Sequence, residues 1–274
     1  MEKEDKLVKK VKRLIKRLGM SRWLHHFGPK TYEFYEHFVA LLVRFFCRLS
    51  YRRVKQLLDL LGIRCPSKSA LQYTAAKLGS GFWQKVIKLT SGGAHYLVAI
   101  DSTGLSQTNP SYHYLRRIDG KLPKIPIKLS TSFDTKKKKF CAGKVRVLPA
   151  HDLKDAQQLI KNSYPKIVVA DKGYSSEKLY EFAADKNILL MIPKKSNTKK
   201  GFYRNKMLKQ FRLRTYHRRE LGESGNSSFK RKYGHSVSSK TVRTIRTEVM
   251  GRLACHNIFF WIYKLLGQSP SFIS

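Results

Sequence analysis

Three acidic residues, remote from one another in sequence, have the types and settings for metal-assisted phosphate chemistry. Asp101 closes the apolar run Tyr96-Leu97-Val98-Ala99-Ile100, and Asp171 closes Ile167-Val168-Val169-Ala170. Glu223 lies in the basic stretch between Tyr216 and Lys230. An acid at the end of a buried strand points into the crevice beyond the sheet edge, where open α/β sheets bind ligands. Three carboxylates gathered there repel one another unless a cation lies among them. The expected chemistry is a divalent-metal site acting on phosphate.

A second pattern surrounds the glutamate. Tyr216, Arg219, Glu223 and Lys230 are separated by steps of three, four and seven. At about 100° per residue they fall within one narrow arc of a helix. That face presents a carboxylate to complete a metal site and a guanidinium for bidentate contact with a phosphate. The lysine adds a point charge, and the phenol can stack on a base. Ser224, Gly225 and Asn226 are weak helix formers, so either a kink or a solvated loop is expected beside Glu223.

The elements that must position these residues follow from periodicity. Residues 1–90 read as helical, in an all-helical N-terminal domain. Leu7, Val11, Leu14, Ile15 and Leu18 recur at helical spacing, as do Phe38, Leu41, Leu42, Phe45 and Leu49, with Gly28-Pro29 between the two sets. A third helix from about Tyr51 to Leu61 stops at Gly62, and Ser67 or Ser69 caps a fourth. This is the outline of a helix-turn-helix, in which Lys68, Gln72, Tyr73 and Lys77 face DNA. An ordinary helical hairpin with a solvated basic face fits the same pattern equally well.

Beyond Ser91-Gly92-Gly93 the period changes. A strand (Tyr96–Ile100) and a loop-rich stretch with Pro110, Gly120, Pro123 and Pro126 come first. A hairpin follows, Ile127–Phe133 and Phe140–Leu148, turning at Asp134. Then come a helix capped by Asp152, a strand (167–170), a helix opened by Ser175, a strand (188–192) and a basic loop from Lys194 to Lys200. Helical periodicity returns at about Arg214 and continues to Leu266. The expected fold is α/β: a ribonuclease H-like mixed sheet flanked by helices over residues 91–274, preceded by the helical domain of residues 1–90.

The motifs resemble those of the DDE transposases of bacterial and archaeal insertion sequences. The spacing Y-x-x-R-x-x-x-E-x-x-x-x-x-x-K from Tyr216 to Lys230 is similar to their signature. Ala99-Ile100-Asp101-Ser102-Thr103-Gly104 and Val169-Ala170-Asp171-Lys172-Gly173-Tyr174 resemble the blocks around the family's two aspartates. The resemblance implies that Asp101, Asp171 and Glu223 hold two Mg²⁺ or Mn²⁺ ions. It implies strand cleavage at transposon ends and transfer of the freed 3′-OH to target DNA. It further implies a homodimer on DNA, in the cytoplasm of a prokaryote and associated with its nucleoid. A catalytically inactive descendant that binds DNA, or a metal-dependent DNA nuclease, fits the same residues. Some relatives insert a β-rich subdomain before the glutamate, and the short distance from Ile192 to Glu223 leaves little room for one here.

Composition narrows the partner. Lysine and arginine number 56 against 18 acids, a formal charge of +38. Self-repulsion of this size destabilises a folded chain unless a polyanion neutralises it, and nucleic acid is the expected one. An anionic membrane surface would call for one basic amphipathic segment, whereas here the bases are spread throughout. No apolar run approaches the roughly 20 residues that span a bilayer. Cys47, Cys65, Cys141 and Cys255 form no C-x-x-C pair, which argues against zinc and for a reduced, intracellular chain. Trp23, Trp83, Trp261, Cys255 and His256 are expected to be packing residues.

Overall fold

The computed structural model describes residues 2–25, 27, 30–107, 127–195, 198 and 200–265. Gly28-Pro29, the Pro110–Pro126 stretch, Leu266 and the side chain of Trp261 lie outside the described residues. The chain divides into two compact units, residues 91–242 and residues 1–90 together with 243–274.

The first unit is helical: α1 (Glu2–Arg17), α2 (Phe34–Cys47), α3 (Tyr51–Leu60), α4 (Lys68–Lys77), α5 (Ser80–Ser91) and, from the far end of the chain, the last helix, Val242–Leu265. Helix α2 is apolar on almost every side because it is buried on almost every side. Trp83 of α5 is fully buried, stacked on Phe38 at 5.6 Å and edge-on to Phe45 at 5.5 Å. Sequence order alone assigns the last helix to the domain of residues 91–274. It packs instead with the N-terminal helices, where its own apolar residues Val249, Met250, Leu253 and Ala254 are fully buried. Gly251 lies so close to Phe45 that an added Cβ would come within 2.4 Å of the ring. Thr247 Oγ1 donates to the Leu78 carbonyl at 2.9 Å. Arg44, which interrupts the apolar run of α2, is buried over the Tyr51 ring at 4.2 Å and lies 3.8 Å from Glu248. Glu248 also accepts from Arg252 at 2.5 Å, so these buried charges are paired.

Ser67 is the N-cap of α4 and accepts from the Ala70 N–H at 3.2 Å. Lys68, Gln72, Tyr73 and Lys77 are all exposed on this helix. The connection from α3 spans residues 61–67, longer than the three- or four-residue turn of a standard helix-turn-helix.

The second unit is built on one mixed sheet. Its strands are β1 (His95–Gln107), β2 (Ile127–Asp134), β3 (Lys139–Arg146), β4 (Pro165–Ala170), β5 (Leu189–Met191) and β6 (Ser236–Val237). The order is β3-β2-β1-β4-β5, with β6 beside the far end of β1. Strands β1, β2 and β3 pair antiparallel, and β4 and β5 run parallel to β1. This is a ribonuclease H-like sheet flanked by helices. Helices α6 (Leu153–Ser163), α7 (Glu177–Ala184) and α8 (Phe202–Leu208) share one core with Val98, Ile100, Val168 and Ala170 on one sheet face. By strand alternation Leu97, Ala99 and Val169 point to the other face, where Met191 joins them. There lie α9 (Leu213–Tyr216), a 3₁₀ turn (His217–Arg219) and α10 (Glu220–Tyr233), and the last helix is α11.

Three local expectations change. Strand β1 does not end at Asp101, because β2 pairs with it as far as Leu105 opposite Ile127. Asp152 has helical backbone angles and caps nothing; it pairs with Lys128 instead. The helix after Asp171 is capped by Ser176, which accepts from Leu179 at 3.3 Å, rather than opened by Ser175. Helix α8 was not anticipated, since its seven residues are too few to establish a period. Among the described residues no helix is long and apolar enough to cross a membrane.

Candidate active site

Strand register places the two aspartates. Ile100 of β1 pairs in parallel with Ala170 of β4, so Asp101 and Asp171 are the next residues of adjacent strands. Alternation carries the rows Leu97-Ala99-Asp101 and Ile167-Val169-Asp171 onto one face, the face covered by α10. Strand β4 stops at Ala170, so Asp171 sits at a true strand end and is exposed, while Asp101 is partly buried within a longer strand. Asp171 also accepts a long 3.5 Å contact from the Gly173 N–H at the start of a 3₁₀ turn (Lys172–Tyr174). Tyr174, buried in that turn, places its hydroxyl 2.9 Å from Ser102 Oγ and so ties the Asp171 segment to the residue after Asp101.

Helix α10 brings the glutamate. No kink occurs at Ser224-Gly225-Asn226; the irregularity lies earlier, in the 3₁₀ turn His217–Arg219. The weak helix formers are explained by contact with the sheet. A Cβ on Gly222 would lie 2.7 Å from Ala99 Cβ, and one on Gly225 would lie 2.9 Å from the Phe133 ring. The helix settles on β1 and β2 through these two glycines, and Glu223 stands between them. Asn226, one turn later, donates through Nδ2 to Asp101 Oδ2 at 3.0 Å.

The electrostatics link all three acids. Burial raises the pKa of Asp101, and the charge of Glu223 adds to the rise. Hydrogen bonds from Asn226 and the Ser102 backbone, with the nearby Arg219, oppose it. Arg219 pairs with Glu223 and lies 5.8 Å from the centre of the Tyr216 ring. Burial works against the Arg219 cation, yet Glu223, Tyr216 and Asp171 together raise its pKa. Tyr216 packs on Phe211 at 5.5 Å. Glu223, Arg219 and Tyr216 thus lie beside Asp101, and Asp171 acts on Arg219 from the adjacent strand, but the three carboxylates do not all come within 4.8 Å of one another. Lys230 is two turns further along α10, roughly 10 Å from Glu223 at 1.5 Å per residue. Lys68, Gln72 and Lys77 belong to the other unit.

The donor set suits a hard cation. Three carboxylates supply only oxygen, the preference of magnesium, and their mutual repulsion is relieved by a positive charge among them. A different set of possible ligands, His95, Asp134 and Cys141, lies buried in the second unit with its ligating atoms within 4.8 Å of one another. Hydrogen bonds account for it. Asp134 accepts from His95 Nδ1 at 2.7 Å and from the Lys136 and Lys137 N–H groups at 2.9 and 2.7 Å, which closes the β2–β3 turn. Burial pushes the Cys141 thiol far up, against the thiolate a metal needs.

Residues 92–258 match the family described as the transposase DDE domain. The chain belongs to this transposase family. The family generally works with divalent metal ions, in keeping with the oxygen-only donor set. A cryo-EM structure of a piggyBac transposase synaptic complex with hairpin DNA resembles the chain at 11% identity and a TM-score of 0.46, over 96% of this chain and 74% of that one. No curated protein matches the sequence.

A cleft of about 730 Å³ opens on the same sheet face as the acids. Its floor is Leu97, Ile167 and Met191, and its rim carries Lys209, Arg212, Arg214 and Arg218. The rim cations have no carboxylate partner among the described residues. Sequence reasoning missed this rim, and it missed Asn226, Thr131 and Tyr174. The available signals were an asparagine one helical turn after Glu223 and a tyrosine three residues after Asp171.

Proposed function

We propose that this transposase cleaves DNA at transposon ends and transfers the freed 3′-OH into target DNA, with Asp101, Asp171 and Glu223 as the ligands of two Mg²⁺ or Mn²⁺ ions. The observation that carries the reading is the shared sheet face: two aspartates on adjacent strands in parallel register, beneath the helix that bears the glutamate. Held by Asp101, Asp171 and Glu223, such ions would supply activation of an attacking oxygen and stabilisation of a leaving one at the same phosphorus. Water first breaks the phosphodiester bond and leaves a 3′-OH. That hydroxyl then attacks a target phosphorus and displaces the target's own 3′ oxygen.

The chain's other residues bind and orient. Arg219 is placed to hold a phosphate oxygen beside the acids, and Tyr216 to stack on a base. Lys230 meets the backbone further along, and the rim of the cleft continues the basic track. Tyr216 is a contact rather than a nucleophile, since direct transfer needs no covalent enzyme intermediate. In the first unit, Lys68, Gln72 and Lys77 offer an exposed helix face to DNA, as an N-terminal DNA-binding region of residues 1–90. Two ends must be cut and joined together, so the working form is a homodimer on DNA, in a prokaryotic cytoplasm.

The test is metal-dependent nicking and joining of DNA that carries the element's own ends. Asp101→Ala, Asp171→Ala and Glu223→Ala should each lower cleavage at least about 100-fold, since even the partners of metal ligands contribute 10–100-fold. DNA binding should persist in all three. Cleavage by Asp101→Ala at the parental rate would remove the assignment. Cutting without joining would make the protein a nuclease.

A further inference from the structure

Asn226 is a poor helix former in the interior of a helix, and it is 4% exposed. A buried carboxamide is destabilising unless both its ends are bonded. Here both are. Nδ2 donates to Asp101 Oδ2 at 3.0 Å, and Oδ1 accepts from Thr131 Oγ1 at 3.0 Å. The orientation is dictated by the partners. An ionised carboxylate only accepts, so the NH₂ end must face Asp101. The oxygen end then faces Thr131, whose hydroxyl has a proton to give. Thr131 is the residue of β2 that pairs directly with Asp101 across the strands.

We propose that Asn226 is a positioning residue that fixes the Asp101 carboxylate for divalent-metal binding, and that Thr131 fixes Asn226 in turn. The inference rests on the reading of Asp101 as a metal ligand. Helix α10 then does two things with one rigid turn: Glu223 supplies a ligand, and Asn226, three residues on, orients another. Helix geometry fixes the spacing between the residue that bears one carboxylate and the residue that orients the other. Ligating carboxylates held by such bonds lose about 10–100-fold in affinity or activity when the partner is removed.

The experiment is Mn²⁺ titration of the full chain without DNA, followed by the electron paramagnetic resonance signal of free Mn²⁺, with thermal melting in EDTA as the control for folding. Asn226→Ala should raise the Kd for Mn²⁺ about tenfold or more. Thr131→Val, of nearly the same shape, should weaken binding in the same direction by less. The double variant should bind no more weakly than Asn226→Ala alone, because two residues acting through one bond are not additive. Parental affinity in Asn226→Ala, with Asp101→Ala impaired, would overturn the inference and leave the metal site standing. Parental affinity in Asp101→Ala, Asp171→Ala and Glu223→Ala alike would overturn the metal site itself. If Asn226→Ala does not fold, Thr131→Val decides: unchanged Mn²⁺ affinity refutes the relay.

Discussion

Asp101 and His37 are both titratable groups held in unfavourable surroundings, with different consequences. The raised pKa of Asp101 means that its charge at neutral pH weighs against the fold, as expected of the metal ligand proposed here. His37 serves structure. Burial lowers its pKa to about 4, with His25 adding a smaller push. Thr74 Oγ1 donates to the Ala70 carbonyl at 2.9 Å, so the His37 Nδ1 lying 2.9 Å away donates to Thr74. A depressed folded pKa gives stability that is complete above the unfolded value of 6.5 and is lost as pH falls toward 4. The expected loss by pH 4 is about 3 kcal/mol, because each pH unit separating the folded and unfolded values is worth about 1.4 kcal/mol. Urea unfolding at a series of pH values checks it. His37→Gln, which does not titrate, should flatten that limb; an unchanged slope would remove His37 as its cause.

At the scale of elements, α10 exchanges helix propensity for proximity. Glycine in a helix interior is destabilising by about 1 kcal/mol relative to alanine. Gly222→Ala would recover that amount in isolation. In place, its Cβ would lie 2.7 Å from Ala99 Cβ, in a strand paired on both sides. Overpacking of this kind costs about 1–3 kcal/mol, so the clash wins. The helix must then lift from the sheet and take Glu223 with it. Gly222→Ala should therefore lower both the melting temperature and metal-dependent cleavage. A gain in stability with activity intact would show that the helix can move without cost. The kink expected from Ser224-Gly225-Asn226 failed for the same reason: propensity describes an isolated helix, and this one is held by the sheet.

At the scale of the whole molecule, charge and chain path each make a prediction. With a net charge of +38, DNA binding should fall by about 10³ or more between 50 and 200 mM salt if six or more phosphates are contacted. Fluorescence anisotropy with labelled duplex measures this, and a flat response would exclude an extended DNA track. The chain path concerns α11. Its buried residues complete the aromatic core of the N-terminal unit, and Glu248 pairs with the buried Arg44. A fragment of residues 1–90 alone would leave that charge unpaired and that core open, so circular dichroism should find it unfolded. A cooperative melting transition in the fragment would show that α11 is dispensable.

The amino-acid sequence alone determined what repeats locally. Apolar runs of strand length, helical periods and the steps among Tyr216, Arg219 and Glu223 are properties of near neighbours. They singled out the three acids and most of the order of the elements, though not α8 or β6. Tertiary structure decided what lies far apart in the chain. It set the parallel register of Ile100 with Ala170, which puts Asp101 and Asp171 on one face. It set the close approach of Gly222 to Ala99, the return of α11 to the first unit, and the bonds from Asn226 across 125 residues to Asp101 and 95 residues to Thr131. Periodicity says which face of an element is apolar. Only hydrogen-bond register and contact between elements say which partner that face meets, and at what distance.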